Sequence, residues 1–159
     1  MMTRTLSFLL AAGLALTIAA TTSKAEDAKQ VAGKVTAAGA AMFDARDAKG
    51  LALSYAEDGR LEVISKEKDS GELKTETKVG RNEIEAYYRE LFKSDDVIHA
   101  RNTVESARLL DAELLTITGI FEPNTESGTP LKLPFIQVRV RRGGEWRIVS
   151  LQLFIVPQE

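Results

Sequence analysis

The stretch VGRNEIEAYYRELF (residues 79–92) decides the fold, because it is the clearest helix and the last one before the chain changes to a strand pattern. Its apolar residues recur at i, i+3, i+4, i+7 and i+8, namely Ile84, Tyr87, Tyr88, Leu91 and Phe92. This spacing is typical of an amphipathic α-helix that packs one face on a core. We therefore predict a helix over Gly80–Lys93.

Two further helices are predicted upstream of this stretch. Residues Asp27 to Arg46 carry apolar residues at helical spacing and many alanines, which favour helix. Asp47 is a good N-cap for a short second helix that ends at Asp58-Gly59. The residues assigned to that second helix include Leu51, Leu53 and Tyr55.

The remaining segments have the alternating pattern and the turn-forming boundaries of β-strands. Six strands are predicted, over residues 60–65, 73–79, 97–110, 114–122, 131–142 and 146–156. A chain with helices toward its beginning and consecutive strands at its end is typical of the α+β class. In such a fold the helices pack on one face of an antiparallel sheet.

The last two strands can be paired residue by residue. A two-residue turn at Gly143-Gly144 places Arg141 opposite Trp146. Continued without interruption, this register pairs Val138 with Val149, Ile136 with Leu151 and Pro134 with Leu153. These residues form a wholly apolar face, which we expect to point toward the helices. The opposite face, with Arg139, Arg141 and Trp146, is expected to point outward.

The first 25 residues predict export. Arg4 precedes the apolar run LSFLLAAGLALTIAA (residues 6–20), and Ser23-Lys24-Ala25 offers small residues where a signal peptidase reads them. The run is too short for a stable membrane span, and a retained anchor is the alternative interpretation. We expect a signal peptide over residues 1–25, one domain over residues 26–159, and a periplasmic or secreted location.

The composition excludes several classes of function. The chain carries 21 Lys and Arg against 23 Asp and Glu, so it lacks the basic excess that nucleic-acid binding needs. The absence of Cys removes thiolate metal sites, thiol nucleophiles and disulfides. A single histidine, His99, rules out a multi-histidine metal site. We expect no metal, no cofactor and no nucleic-acid partner.

Three stretches together carry a family resemblance. They are FDARDAKGLALSYAEDGRLEV (residues 43–63), VGRNEIEAYYRELF (residues 79–92) and RRGGEWRIVSLQL (residues 141–153). Their order and content resemble the nuclear transport factor 2-like superfamily, in particular its SnoaL-like bacterial members. The resemblance implies a cone-shaped α+β barrel. In it, three N-terminal helices pack in the concave face of a strongly curved, mainly antiparallel sheet and close a pocket.

The resemblance also allows a test of one activity within the superfamily, that of the ketosteroid isomerases. Their oxyanion-hole tyrosine corresponds to Gly39, their general-base aspartate to Val63, and their protonated aspartate to Ile136. None of these three side chains can transfer a proton, so isomerase chemistry by that route is not expected. Tyr88 matches a supporting pocket tyrosine, and Tyr55 stands where some members have another.

The hairpin register and the resemblance together predict the ligand pocket. Its residues are Tyr55, Val63, Tyr88, Ile136, Val138, Val149, Leu151 and Leu153. His99 is the one histidine available for acid–base chemistry, which SnoaL-like cyclases perform with a His–Asp pair. The sequence places no acidic residue beside it, and a surface or partly buried strand histidine is the alternative interpretation.

These observations favour an exported, non-catalytic protein that binds a small apolar or amphipathic molecule in the cone pocket. One alternative is a lyase or isomerase that uses His99 or Tyr88 as its acid–base group. Another is a purely structural homodimer whose pocket is filled by its own side chains. We expect a homodimer through the outer sheet face, where Ile148 and Phe154 lie among polar residues. Those polar residues are Gln137, Arg139 and Gln152.

Overall fold

The computed structural model describes residues 27–93, 97–125 and 131–156. In chain order the elements are α1 (Ala28–Asp44), α2 (Ala48–Leu53), β1 (Tyr55–Lys66), β2 (Leu73–Val79), α3 (Arg81–Leu91), β3 (Val97–Leu109), β4 (Leu114–Thr125), β5 (Leu133–Arg142) and β6 (Glu145–Ile155). The predicted signal peptide, residues 1–25, lies outside the described residues. None of the described helices is long and apolar enough to cross a membrane.

The three helices begin at the residues that the sequence indicates, but the second is shorter than expected. Asp27 and Asp47 act as N-caps, accepting hydrogen bonds from the backbone N–H groups of Lys29 (2.9 Å) and Gly50 (2.8 Å). The assignment of Tyr55 to α2 is wrong, because Tyr55 is the first residue of β1.

Two contacts hold Tyr55 in the sheet. It pairs with Ile148 of β6, and its carbonyl oxygen accepts hydrogen bonds from Nε (2.9 Å) and Nη2 (2.8 Å) of Arg81 at the start of α3. These tertiary contacts override the helical tendency of the preceding residues. Tertiary context commonly overrides local helix propensity in this way.

The sheet is mainly antiparallel, as predicted, with strand order β2-β1-β6-β5-β4-β3. Only β1 and β6 pair in parallel among the described strands. Helix α1 packs on β3, and α2 packs on α3, which lies against β1. The curved sheet therefore wraps around the helices in the cone-shaped arrangement expected from the resemblance.

Buried apolar side chains of the helices and of the inner sheet face form one core. Ile84 of α3, Leu115 of β4 and Leu61 of β1 are almost fully inaccessible to solvent. Phe43, near the end of α1, contacts Phe92 and Phe121 edge-on, with ring centroids 5.0 and 5.1 Å away. Aromatic pairs of this geometry are stabilising beyond the area they bury.

The hairpin turn between β5 and β6 is confirmed, but the uninterrupted register beyond it is wrong. Gly143 and Gly144 have φ of 60° and 82°, which suits a two-residue hairpin turn, and Arg141 pairs with Trp146. Arg139 then pairs with Ile148, whereas Val138 pairs with Ser150. Val149 is thus an extra residue in β6, a β-bulge.

Because strand side chains alternate between faces, this one extra residue exchanges the two faces of β5 relative to the prediction. Ile136, expected to point inward, is 42% exposed, and Arg139, expected to point outward, is 4% exposed. Val138 shares the outer face with Ile136. Trp146 packs against the core rather than facing out, and the exposed Arg141 lies over its ring.

Candidate functional site

A cavity of about 250 Å³ lies between the helices and the inner face of the sheet. All three helices and five of the strands contribute to its mostly apolar wall. Three lining side chains, Leu91, Leu131 and Ile155, are also more than a third exposed, so they mark the mouth of the cavity. A concave, mostly apolar space with a few polar groups is the usual form of a small-molecule site.

The structure brings together part of the predicted pocket. Five of the predicted residues line the cavity: Tyr55, Val63, Tyr88, Leu151 and Leu153. Ile136, Val138 and Val149 are not among its lining residues, because the first two point to the outer face and the third is the bulge residue. In their place, β5 presents Phe135, Gln137 and Arg139.

Two tyrosines form a hydroxyl pair in the cavity. Tyr55, at the start of β1, and Tyr88, on α3, have hydroxyl oxygens 3.3 Å apart. Burial raises the pKa of the Tyr55 hydroxyl well above its usual value, and the neighbouring Tyr88 adds to this rise. Burial also raises the pKa of Tyr88, although the hydrogen bond with Tyr55 and the charge of Arg139 oppose it. Both phenols therefore stay neutral at neutral pH and act as hydrogen-bonding groups.

The sequence analysis placed Arg139 on the outer face of the sheet, whereas the structure places it, buried, in the cavity wall. Its Nε donates to Oε1 of Gln137 (2.9 Å), and its Nη1 donates to the carbonyl oxygen of Trp146 (3.4 Å). Burial lowers the pKa of the guanidinium to about 10, partly offset by the nearby hydroxyls of Tyr55 and Tyr88. The group stays positively charged at neutral pH, inside a mostly apolar cavity.

No sequence signal distinguished the two faces of β5. Leu133, Phe135, Gln137 and Arg139 alternate as regularly as the apolar residues between them, and the bulge in β6 is not visible in the residue pattern. The usual burial preferences of residue types could not identify the inner face of β5 either, because arginine is among the residues least often fully buried.

The polar residues of the cavity include several hydrogen-bond donors, among them Tyr55, Tyr88 and Arg139. No Asp or Glu lines it within the described part of the chain, and no described carboxylate forms an ion pair with Arg139. The tyrosine pair uses one of its two O–H groups internally, so the other is left to donate elsewhere. The site therefore offers positive charge and donors without a matching anion among the residues that the structure describes.

His99 lies outside this cavity. Its Nδ1 is 2.7 Å from Oδ2 of Asp44, at the end of α1, and its side chain is 65% exposed. Oδ1 of the same carboxylate accepts a hydrogen bond of 2.6 Å from the backbone N–H of Ala100. The pair therefore joins the end of α1 to β3 at the surface. Within the described ranges, no three His, Asp or Glu side chains are placed to share a metal ion.

We expect Asp44→Ala to lower the free energy of unfolding by about 1 kcal/mol, because it leaves the partly buried Ala100 N–H without its acceptor. His99→Ala should cost less than about 0.5 kcal/mol, since the imidazole is exposed. Urea denaturation followed by circular dichroism compares the two. An equal loss in both variants would show that the side-chain contact between His99 and Asp44, and not the backbone hydrogen bond, connects α1 to β3.

The fold and the cavity together define a protein of the cystatin-like, nuclear transport factor 2-like fold. Solved structures share this fold at low sequence identity. An NTF-2-like protein of unknown function from Shewanella oneidensis superposes with a TM-score of 0.63 at 12% identity, over 79% of this chain and 98% of the other. A ketosteroid isomerase-like protein from Erwinia carotovora atroseptica gives 0.59 at 18% identity, over 79% and 95%.

A third similar structure is a putative calcium/calmodulin-dependent protein kinase II association domain from Xanthomonas campestris. Its TM-score is 0.60 at 20% identity, over 84% of this chain and 91% of the other. No protein-family model matches the chain, and neither does any curated protein sequence. The resemblance drawn from the three sequence stretches is thus confirmed at the level of the fold.

The three positions that correspond to catalytic residues of the ketosteroid isomerases lie on α1 and on the two faces of the sheet. Gly39 and Val63 line the cavity, so they occupy places from which a side chain could reach a ligand. Ile136 does not, because the bulge turns it outward. Its inward-facing neighbours, Phe135 and Gln137, are not carboxylic acids either.

Proposed function

We propose that the protein binds a small apolar or amphipathic molecule in the cone cavity without transforming it. One observation carries this proposal. The cavity is a preformed space of about 250 Å³ with mostly apolar walls, and its few polar residues include Tyr55, Tyr88 and Arg139. A site of this kind needs few polar groups to orient a ligand.

The alternative of a lyase or isomerase has weaker support. Burial keeps the Tyr88 hydroxyl protonated at neutral pH, which suits hydrogen-bond donation better than proton abstraction. His99, the other candidate, has a carboxylate partner but no access to the cavity. The alternative of a structural protein with a filled pocket is weakened by the open volume.

Gly39→Leu tests the cavity directly. Gly39 of α1 lines the cavity, and an added Cβ would meet no atom within 4 Å, so the leucine side chain can extend into the space without a clash. We expect the neutral fluorescent probe N-phenyl-1-naphthylamine to bind the wild-type protein and to bind Gly39→Leu at least tenfold more weakly. Fluorescence titration measures both affinities.

Gly33→Leu is the matched control. Gly33 lies on the same helix with equal space for a Cβ, but it is not among the cavity-lining residues. Both variants replace a helical glycine by leucine, which favours helix by about 0.5–1 kcal/mol, so neither should unfold. Equal binding in the two variants would place the site elsewhere. A wild-type protein that binds none of three ligands by calorimetry, namely this probe, 1-decanol and decanoate, would contradict the proposed function.

We also propose a homodimer through the outer sheet face, with a different composition from the one expected. Ile148, Gln137 and Arg139 line the cavity instead. Alternation along the strands puts apolar residues of β5 and β6 on the outer face: Ile136, Val138, Val140 and Phe154. The apolar row along β5 supports an interface. Sedimentation equilibrium that shows only monomer at micromolar concentration would contradict it.

We further propose that residues 1–25 are a signal peptide and that the protein works outside the cytoplasm. The basic start, the apolar run and Ser23-Lys24-Ala25 support this proposal. N-terminal sequencing of protein recovered from the cell envelope or medium should begin at Glu26. A sequence that begins at Met1 would contradict cleavage.

A further inference from the structure

The charge of Arg139 has no counterion among the described residues. The side chain is 4% exposed, and its two hydrogen-bond acceptors, Gln137 Oε1 and the Trp146 carbonyl oxygen, are both neutral. Buried charges in proteins are normally paired, because taking an ion out of water is costly. An unpaired guanidinium in a cavity wall is therefore a feature that the fold itself does not need.

The rest of the cavity does not supply the missing negative charge. No lining residue in the described part of the chain is acidic, and the neighbouring Tyr55 and Tyr88 hydroxyls stay neutral at neutral pH. Nη2 of Arg139 has no hydrogen-bond partner among the described residues, and one O–H of the tyrosine pair is left without an acceptor there. Tyr55 and Arg139 both pair with Ile148 in the sheet, and the Tyr88 hydroxyl contacts that of Tyr55 from α3, so these donors lie near one another.

We propose that the ligand is an amphipathic carboxylate, a monoanion with an apolar body whose carboxylate binds Arg139. This inference rests on the proposed binding function. A carboxylate is an acceptor-only group, and its two oxygens match the planar fork of a guanidinium. A dianion such as a phosphate monoester fits less well, because Arg139 is the one cationic residue among the described residues that line the cavity.

The geometry also orients the ligand. Arg139 is buried, whereas the mouth is marked by the exposed apolar side chains of Leu91, Leu131 and Ile155. The carboxylate therefore enters first, and the apolar body fills the space toward the mouth. The apolar wall, including Leu151 and Leu153, contacts the body of the ligand and excludes water from the ion pair.

The test compares two probes of equal chain length, decanoate and 1-decanol, as competitors of N-phenyl-1-naphthylamine at pH 7.5. Wild-type protein should bind decanoate at least tenfold more tightly than decanol. Arg139→Met keeps a side chain of similar length without the charge, and it should weaken decanoate binding at least 30-fold. Its affinities for decanol and for the neutral probe should change less than threefold, which also shows that the variant is folded.

Two further variants sharpen the result. Arg139→Lys keeps the charge but not the planar fork, so it should recover part of the preference for decanoate. Arg142→Gln removes an exposed arginine of the same strand and should leave both affinities unchanged. If Arg142→Gln loses the preference for decanoate over decanol, that preference comes from surface charge, and the proposal is overturned.

The outcomes separate this inference from the proposed function. If the neutral probe binds and decanoate competes no better than decanol, the carboxylate inference is wrong and the binding function stands. The carboxylate inference is equally wrong if Arg139→Met keeps the full preference for decanoate. If neither the probe, decanol nor decanoate binds the wild-type protein by calorimetry, both proposals fail.

Discussion

Replacing Arg139 with methionine is expected to raise the free energy of unfolding by about 1–3 kcal/mol. Burial lowers the guanidinium pKa to about 10, which corresponds to a net cost of about 3 kcal/mol at neutral pH. Methionine removes this cost and keeps most of the side-chain volume. Part of the gain is offset, because Gln137 Oε1 loses its hydrogen-bond donor.

The direction of this change in stability follows from the linkage between proton binding and folding. A base with a folded-state pKa below its unfolded value destabilises the fold at every pH at which both states are protonated, and this range includes neutral pH. Urea denaturation at pH 7 measures the difference. Arg142→Met, at the exposed end of the same strand, is the control and should change stability by less than about 0.5 kcal/mol.

The double variant Gln137→Leu/Arg139→Met should be more stable than Arg139→Met alone, because it also removes the orphaned acceptor. A loss of stability in Arg139→Met would contradict the argument. It would mean that the hydrogen bonds of the guanidinium to Gln137 and Trp146 outweigh its desolvation. A stabilising substitution that removes carboxylate binding would show that Arg139 is retained for the ligand.

Gly119→Ala is expected to lower the free energy of unfolding by about 2–3 kcal/mol, the upper part of the range for overpacked cores. Gly119, in β4, lies opposite Phe135 of β5. A Cβ at this position would lie 2.9 Å from Cζ of the Phe135 ring and only 2.2 Å from the backbone carbonyl oxygen of Thr103. The ring can move, but the carbonyl belongs to the neighbouring strand β3, so β3 and β4 must separate locally.

A double-mutant cycle separates the two contacts. In a Phe135→Leu background the ring contact is removed, but the contact with the Thr103 carbonyl remains, so Gly119→Ala should keep more than half of its cost. Thermal and urea unfolding measure both steps. If Phe135→Leu abolishes the cost of Gly119→Ala, then the Phe135 ring, and not the spacing of β3 and β4, requires glycine at position 119. A cost below about 0.5 kcal/mol in either background would contradict the close approach altogether.

The order of helices and strands could be predicted because local patterns determine it. The apolar stripe of α3, the Asp27 and Asp47 caps and the Gly143-Gly144 turn are all signals within one element. Tyr55 was assigned to the wrong element, because the contacts that hold it in β1 come from Arg81 and Ile148, both distant in the sequence.

The candidate site was less predictable for a related reason. Tyr55 and Tyr88 were found through the family resemblance, and Leu151 and Leu153 through alternation in β6. Arg139 was predicted on the wrong face, because the direction of its side chain depends on the bulge at Val149, one strand away. Both faces of β5 carry apolar residues, so no hydrophobic pattern opposed the wrong register.

The bulge at Val149 has a consequence for how such cavities diverge between descendants of one gene. Val149 does not line the cavity. The bulge at Val149 nevertheless determines which face of β5 lines the cavity, the one with Arg139 or the one with aliphatic side chains. Loss or gain of one codon at this place would exchange charge for an apolar surface in a single event, with every other residue unchanged. Ligand class in this architecture can therefore shift through insertions and deletions that a comparison of lining residues alone would never record.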